Sequence, residues 1–237
     1  MESGSVTVEK VDMGEMVPAI PAATLVLLRE RDGAAPELLL VERSKGMAFA
    51  GGAIVFPGGR IDADDHLLAA RHDHIEAECA AARIAAIRET IEESGVPIGL
   101  ASAPPAGWLD GARRALHDRQ AFSGLLDAAG LALDLSALVP FARWRPNFRE
   151  TRVFDTRFYL VDAGDTTPVA TVDKTENRML FWATAAEVLE KADQGQVKII
   201  FPTRRNLERL AMFGDFDAAA AHAAAHPVST VLTYIDK

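Results

Sequence analysis

Three carboxylates crowd the run Arg88-Glu89-Thr90-Ile91-Glu92-Glu93-Ser94-Gly95-Val96. On a helix, Glu89, Glu92 and Glu93 stand at i, i+3 and i+4 and share one face. Ile84, Ile87 and Ile91 recur on the opposite face, the spacing of a helix packed against a core. Like charges so placed repel by roughly 0.2–0.5 kcal/mol per pair, and a cation between them reverses the sign. Several oxygen ligands, with no thiolate among them, suit Mg²⁺ or Mn²⁺. The bland alternative is a solvated acidic face, the usual fate of a charge run on a helix.

Other elements must position these side chains. Upstream, the apolar run Ala53-Ile54-Val55-Phe56 meets Pro57-Gly58-Gly59. This reads as a strand ending in a loop that lets another group approach the backbone closely. The carboxylates fall on a long helix from Glu76 to Ser94, with Gly95 as its left-handed stop. Strands are expected at 23–29, 37–42, 53–56, 138–144, 153–161 and 179–183, with a turn at Asp32-Gly33. Further helices are expected at 66–71, 109–119, 121–129, 184–194, 202–213 and 216–226. Strands and helices mix without a steady alternation, so a mixed sheet covered by helices is favoured over a doubly wound fold.

A glycine loop followed by a helix with R-E-x-x-E-E-x-G and an apolar residue resembles the box of the Nudix hydrolases, G-x5-E-x7-R-E-U-x-E-E-x-G-U, where U is bulky and apolar. The second half matches at Arg88, Glu89, Glu92, Glu93, Gly95 and Val96, with Thr90 in place of the first apolar residue. The first half is stretched: 22 residues, 66 to 87, separate Asp65 from Arg88, where the pattern has seven. Asp65 is the favoured counterpart of the first Glu. Glu78 would stand roughly 16 Å from Glu89 along the helix axis, too far to share an ion.

A second resemblance precedes the box. Leu39, Leu40, Arg43, Ser44, Gly52, Phe56, Pro57, Gly58 and Gly59 match the accessory motif of Nudix enzymes that cleave coenzyme A, with Val41 and Ala48 departing from it. Two later runs, 152–160 and 201–207, are similar to the insertion-bearing branch that includes a peroxisomal coenzyme A diphosphatase of animals.

The resemblance implies an α/β fold: a Nudix-type α/β/α sandwich with a mixed sheet, an insertion inside the box and extra C-terminal helices. It divides the chain into a flexible arm, 1–18, and one domain, 19–237, with helical additions near 66–80, 107–130 and 202–226. It implies Glu92, Glu93 and Glu89 as ligands of Mg²⁺ or Mn²⁺, with the Gly58 carbonyl as a further ligand. Glu89 is alternatively the base for the attacking water, and Arg88 orients the carboxylates. Many members take a base from a later loop, which points to Asp173 or Glu176. Arg43, Ser44, Gly59, Arg149 and Arg152 are the expected substrate contacts. Arg149 and Arg152 belong to a dense basic group with Arg143, Arg145 and Arg157. Arginine grips phosphate bidentately, although a surface role at the sheet rim suits these residues equally. Trp144, Phe148 and Trp182 are expected to pack in the core rather than stack on a base.

The implied reaction is metal-dependent hydrolysis of a nucleoside diphosphate-linked substrate. Coenzyme A or an acyl-coenzyme A comes first, yielding 3',5'-ADP and 4'-phosphopantetheine or its acyl form. The alternatives are an ADP-ribose or dinucleotide diphosphatase, and a Nudix-fold nucleotide sensor without turnover.

Composition narrows the partners. A net charge of −9 argues against coating nucleic acid. No apolar run approaches the ~20 residues of a membrane helix. The single Cys79 excludes an internal disulfide framework and fits a reducing compartment, so a cytoplasmic enzyme is expected. The irregular spacing of His66, His72 and His74 disfavours zinc. The expected partner is a small-molecule nucleotide substrate, and a homodimer is left open.

Overall fold

The computed structural model describes residues 18–31, 33–47, 50–146, 153–164, 170–171 and 177–233. Nearly all of the expected arm, 1–17, lies outside them. The described strands form one sheet: β1 (Ile20–Arg31), β2 (Ala34–Arg43), β3 (Ala53–Val55), β4 (Gly58–Arg60), β5 (Val139–Pro146), β6 (Phe154–Asp162), β7 (Asn177–Thr184), β8 (Lys198–Ile199) and β9 (Thr230–Thr233). Their order is β8-β3-β2-β1-β6-β5-β9, with β4 also pairing β1 and β7 also pairing β2. β1 runs antiparallel to β2 and β4 and parallel to β6, so the sheet is mixed, as expected.

Alternation along β1 builds two cores. Leu25 and Leu27 pack on one face with Leu39, Tyr159 and the isoleucines Ile84, Ile87 and Ile91. Val26 and Leu28 pack on the other with Leu38, Leu40, Phe158, Leu160 and Leu207. The first face is covered by α1 (Ala63–Ala69), α2 (Ala77–Ser94), α3 (Trp108–His117) and α4 (Phe122–Ala129). The second is covered by α5 (Ala185–Asp193), α6 (Phe201–Leu210) and α7 (Phe216–Ala225). The result is the α/β/α sandwich.

α2 is the expected long helix, closed by Gly95 at φ 70°. Its middle differs from a simple two-faced helix. Ala80, Ala81, Ala82, Ala85 and Ala86 are buried along with the isoleucines, so this stretch is enclosed nearly all round.

Three features depart from the sequence reading. α1 begins at Ala63 rather than His66, because Asp62 and Asp65 form a reciprocal capping box at its start. The two glycines do not form a loop; they belong to β4, paired with Thr24 and Ala23 of β1. β8 and β9 were not anticipated: β8 is two residues long, and β9 follows the last alanine-rich helix, pairing parallel to β5.

Candidate active site

The carboxylate turn of α2 lies beside β4. Gly58 donates its amide to Glu93 Oε2 at 3.2 Å. A Cβ on Gly59 would overlap the carboxylate of Glu89, and one on Gly58 would overlap backbone atoms of Ala23 and Thr24. Glycine is therefore required twice for different reasons: once to admit a side chain, once to let two strands meet. Thr90, the departure at an apolar box position, is fully buried and donates its hydroxyl to the Ala86 carbonyl at 2.8 Å, which satisfies it inside the helix.

Arg88 gathers the box. Its Nε and Nη2 donate to the two oxygens of Asp65 at 3.0 and 2.9 Å. Nη2 also reaches the Arg60 carbonyl at 2.9 Å, and Nη1 reaches Glu89 Oε1 at 2.9 Å. Asp65 is fully buried and also accepts the Asp62 amide at 2.8 Å. So Asp65 does come to Arg88, and the residues between them complete α1 and build the first part of α2. Glu78 stays away, on the surface opposite His66 at 3.7 Å.

The electrostatics are those of a crowded acidic site. Burial opposes the charge on Arg88, but its hydrogen bonds to Asp65 and the charges of Glu89 and Asp65 prevail and raise its pKa. Burial lifts the Glu89 pKa to about 7; Arg88 opposes the rise and the charge of Glu92 adds to it. Glu93 is held well above the usual carboxylate range by burial and by Glu89, against the hydrogen bonds from Asn177 and Gly58 and the charge of Arg43. A buried and a half-buried carboxylate, one helical turn apart and resisting ionisation, are a donor set that a cation would stabilise. Among the described residues, no group of three His, Cys, Asp or Glu side chains is gathered as it stands to hold a metal ion. Glu89 is turned to Arg88, and Glu92 Oε1 is turned to His117 Nδ1 at 3.1 Å. The oxygen chemistry of the turn fits a hard divalent ion.

The site opens on a cleft of about 1170 Å³. That exceeds the ~300–1,000 Å³ typical of sites for drug-sized ligands. Its walls carry Arg43, Gly58, Gly59, Arg88, Glu89, Glu92 and Glu93. The structure thus brings seven expected residues together. Ser44 follows Arg43 in the turn after β2, with its carbonyl accepting the Met47 amide, and does not line the cleft. Arg149, Arg152, Asp173, Glu176 and Phe148 lie outside the described residues. Two more arginines of the expected basic group are engaged within the protein. Arg143 is clamped to Asp155 through two 2.7 Å bonds, and Arg157 donates to the Glu78 carbonyl at 2.6 Å.

Trp144 reaches the cleft wall rather than only the core, with its Nε1 donating to Asn206 Oδ1 at 3.3 Å. Trp182 stays packed, under the Arg29 guanidinium. Sequence reasoning missed His117 and Asn177. Asn177 directly follows the candidate base Glu176 but carries no motif of its own. His117 had no signal, since its partner Glu92 is 25 residues away.

No protein-family model matches the chain. The acyl-coenzyme A diphosphatase NUDT19 of Homo sapiens is 28% identical, over 74% of this chain and 60% of its own length. The Gallus gallus protein of the same name is 26% identical, over 76% of this chain and 62% of its own length. The chain therefore spans about six-tenths of the curated relatives it matches. The crystal structure of a NUDIX hydrolase from Alicyclobacillus acidocaldarius is 28% identical and superposes with a TM-score of 0.77, covering 87% of this chain and 97% of that one. With its stretched box closed by Arg88 and Asp65, the chain is similar to the Nudix hydrolases, and among them to the acyl-coenzyme A diphosphatases.

Proposed function

We propose that this enzyme hydrolyses the diphosphate of coenzyme A or an acyl-coenzyme A in the presence of Mg²⁺ or Mn²⁺. The observation that carries the reading is the pair of half-buried Glu89 and buried Glu93, set against the backbone of Gly58 and Gly59 at the wall of a large cleft. The coenzyme A choice draws on the activity named for the two relatives and on the run from Leu39 to Gly59.

Glu89, Glu92 and Glu93 would hold the ion, with the Gly58 carbonyl as a further ligand. The bound ion supplies neutralisation of the diphosphate charge and activation of the attacking water. Arg88 fixes Glu89 through its 2.9 Å bond and so aims that carboxylate at the cleft. Asp65 and the Arg60 carbonyl hold the guanidinium in place for that task. Arg43, near enough to lower the Glu93 pKa, offers positive charge to the substrate phosphates. Gly59 leaves room for the approach, and Arg149 and Arg152 complete the substrate contacts. Glu89 or Glu176 accepts the water proton. Water attacks one phosphorus, the P–O bond of the bridge breaks, and each product leaves with one of the two bridging phosphates, the 3'-phosphate staying on the ADP product. We further read residues 19–237 as one catalytic domain acting in the cytoplasm, for which the single cysteine is the support.

Incubation with coenzyme A and Mg²⁺ or Mn²⁺, followed by mass spectrometry, tests this. Formation of 3',5'-ADP and 4'-phosphopantetheine supports it. Release of AMP from ADP-ribose with coenzyme A untouched would redirect the substrate class. Tight nucleotide binding without turnover would replace catalysis with sensing.

A further inference from the structure

We infer that α3, outside the box, is a positioning element for it, acting through Arg113 and His117. The two residues lie one turn apart on α3 and both engage the last turn of α2. Arg113 Nε donates to the Glu92 carbonyl at 3.1 Å, and Nη2 donates to the Glu93 carbonyl at 3.3 Å. These carbonyls belong to the C-terminal turn, where a helix has no backbone donors left for them and where positive charge is favoured. The same guanidinium ties Thr171 into the assembly, through its hydroxyl at 2.6 Å and its carbonyl at 2.8 Å. Thr171 in turn donates its amide to the Ser94 carbonyl at 2.9 Å. Gly95 makes the seat: a Cβ there would stand 3.0–3.3 Å from the Arg113 guanidinium and side chain.

His117 acts on the side chain rather than the backbone. Its Nδ1 lies 3.1 Å from Glu92 Oε1. An ionised carboxylate only accepts, so Nδ1 donates. One Glu92 oxygen is thereby fixed and the other is directed elsewhere, 4.0 Å from Arg88 Nη1. A ligating carboxylate held by a hydrogen bond from outside the donor set is a recurring arrangement, and removing the outer partner typically costs about 10–100-fold in metal affinity or activity. α3 thus sets both the backbone and the aim of the box glutamate nearest the solvent. His117 and Arg113 are positioning residues and take no part in bond making.

This inference rests on the metal-binding reading of the glutamates, and the experiment separates the two. Mn²⁺ affinity is measured by electron paramagnetic resonance for the wild type, His117→Ala, His117→Asn and Arg113→Lys, alongside thermal unfolding. The wild type must bind Mn²⁺; failure to do so sinks the metal reading itself. His117→Ala is expected to weaken Mn²⁺ binding by about tenfold or more at an unfolding temperature within a few degrees of wild type. His117→Asn, which keeps a donor near the Nδ1 position, is expected to restore most of the affinity. Arg113→Lys is expected to weaken Mn²⁺ binding with a lowered unfolding temperature, since one ammonium cannot reproduce the fork. Unchanged or tighter Mn²⁺ binding in His117→Ala, with wild-type binding intact, overturns the positioning role.

Discussion

Arg88 grips Asp65 through two parallel hydrogen bonds, 3.0 and 2.9 Å long, across 23 positions of sequence. The pair closes a box that the sequence alone leaves open, and it is nearly shielded from water, with 8% of the Arg88 side chain and none of Asp65 exposed. Removing one partner of such a pair leaves the other charge buried. Asp65→Asn is expected to lower unfolding free energy by about 3–5 kcal/mol, read from urea denaturation. The double replacement with Arg88→Ala should cost less than the sum of the two single changes.

The two box glycines should respond differently to alanine. At Gly58 the added methyl meets backbone of Ala23 and Thr24, which cannot step aside without moving β1. Gly58→Ala is expected to destabilise the fold by about 1–3 kcal/mol. At Gly59 the methyl meets the movable end of Glu89. Gly59→Ala should therefore unfold within about 1 kcal/mol of wild type yet lose most turnover, because Glu89 is displaced. Equal stability losses in the two variants would contradict this assignment.

Stability of the metal-free protein carries a pH signature. The Glu89 pKa stands at about 7, above its ordinary 4.5. The folded state therefore holds a proton that the unfolded state releases, and this contribution is full below about 4.5 and lost as pH rises to about 7. Relative to Glu89→Gln, the wild type should lose stability across that window and then level off. Saturating Mn²⁺ should stabilise the wild type more at pH 8 than at pH 5. Calorimetric unfolding at several pH values measures both, and a pH-independent difference between the two proteins would refute the assignment.

What the sequence revealed follows from the range of the signals. Ile84, Ile87, Ile91 and Gly95 mark the box helix because helical spacing and a left-handed stop are local facts. Glu89, Glu92 and Glu93 share a face for the same reason. The Asp65–Arg88 contact is only half legible, since the capping box that starts α1 is local but the path of the inserted chain is not. β4 was hidden because Gly58-Gly59-Arg60 has no strand propensity and pairs only through the register of β1. His117 and Asn177 join the glutamates through tertiary packing, which no spacing along the chain encodes. Of the two readings open for the basic group, anion patch or sheet rim, Arg143 takes the second: Asp155 on β6 holds it from the diagonal position, two residues from its register partner Arg157, a contact invisible before the register is known.

Glu93 and its neighbours, on the proposal above, serve a metal-dependent diphosphatase. The most direct measurement is product formation from coenzyme A by wild type and Glu93→Gln, with Mg²⁺ or Mn²⁺ and with chelator. Expected are 3',5'-ADP and 4'-phosphopantetheine from the wild type with metal, none with chelator, and a loss of at least about 10²-fold in Glu93→Gln at unchanged fold, on the order of a lost transition-state contact. Wild-type rates in a folded Glu93→Gln protein, or turnover that persists in chelator, would contradict it.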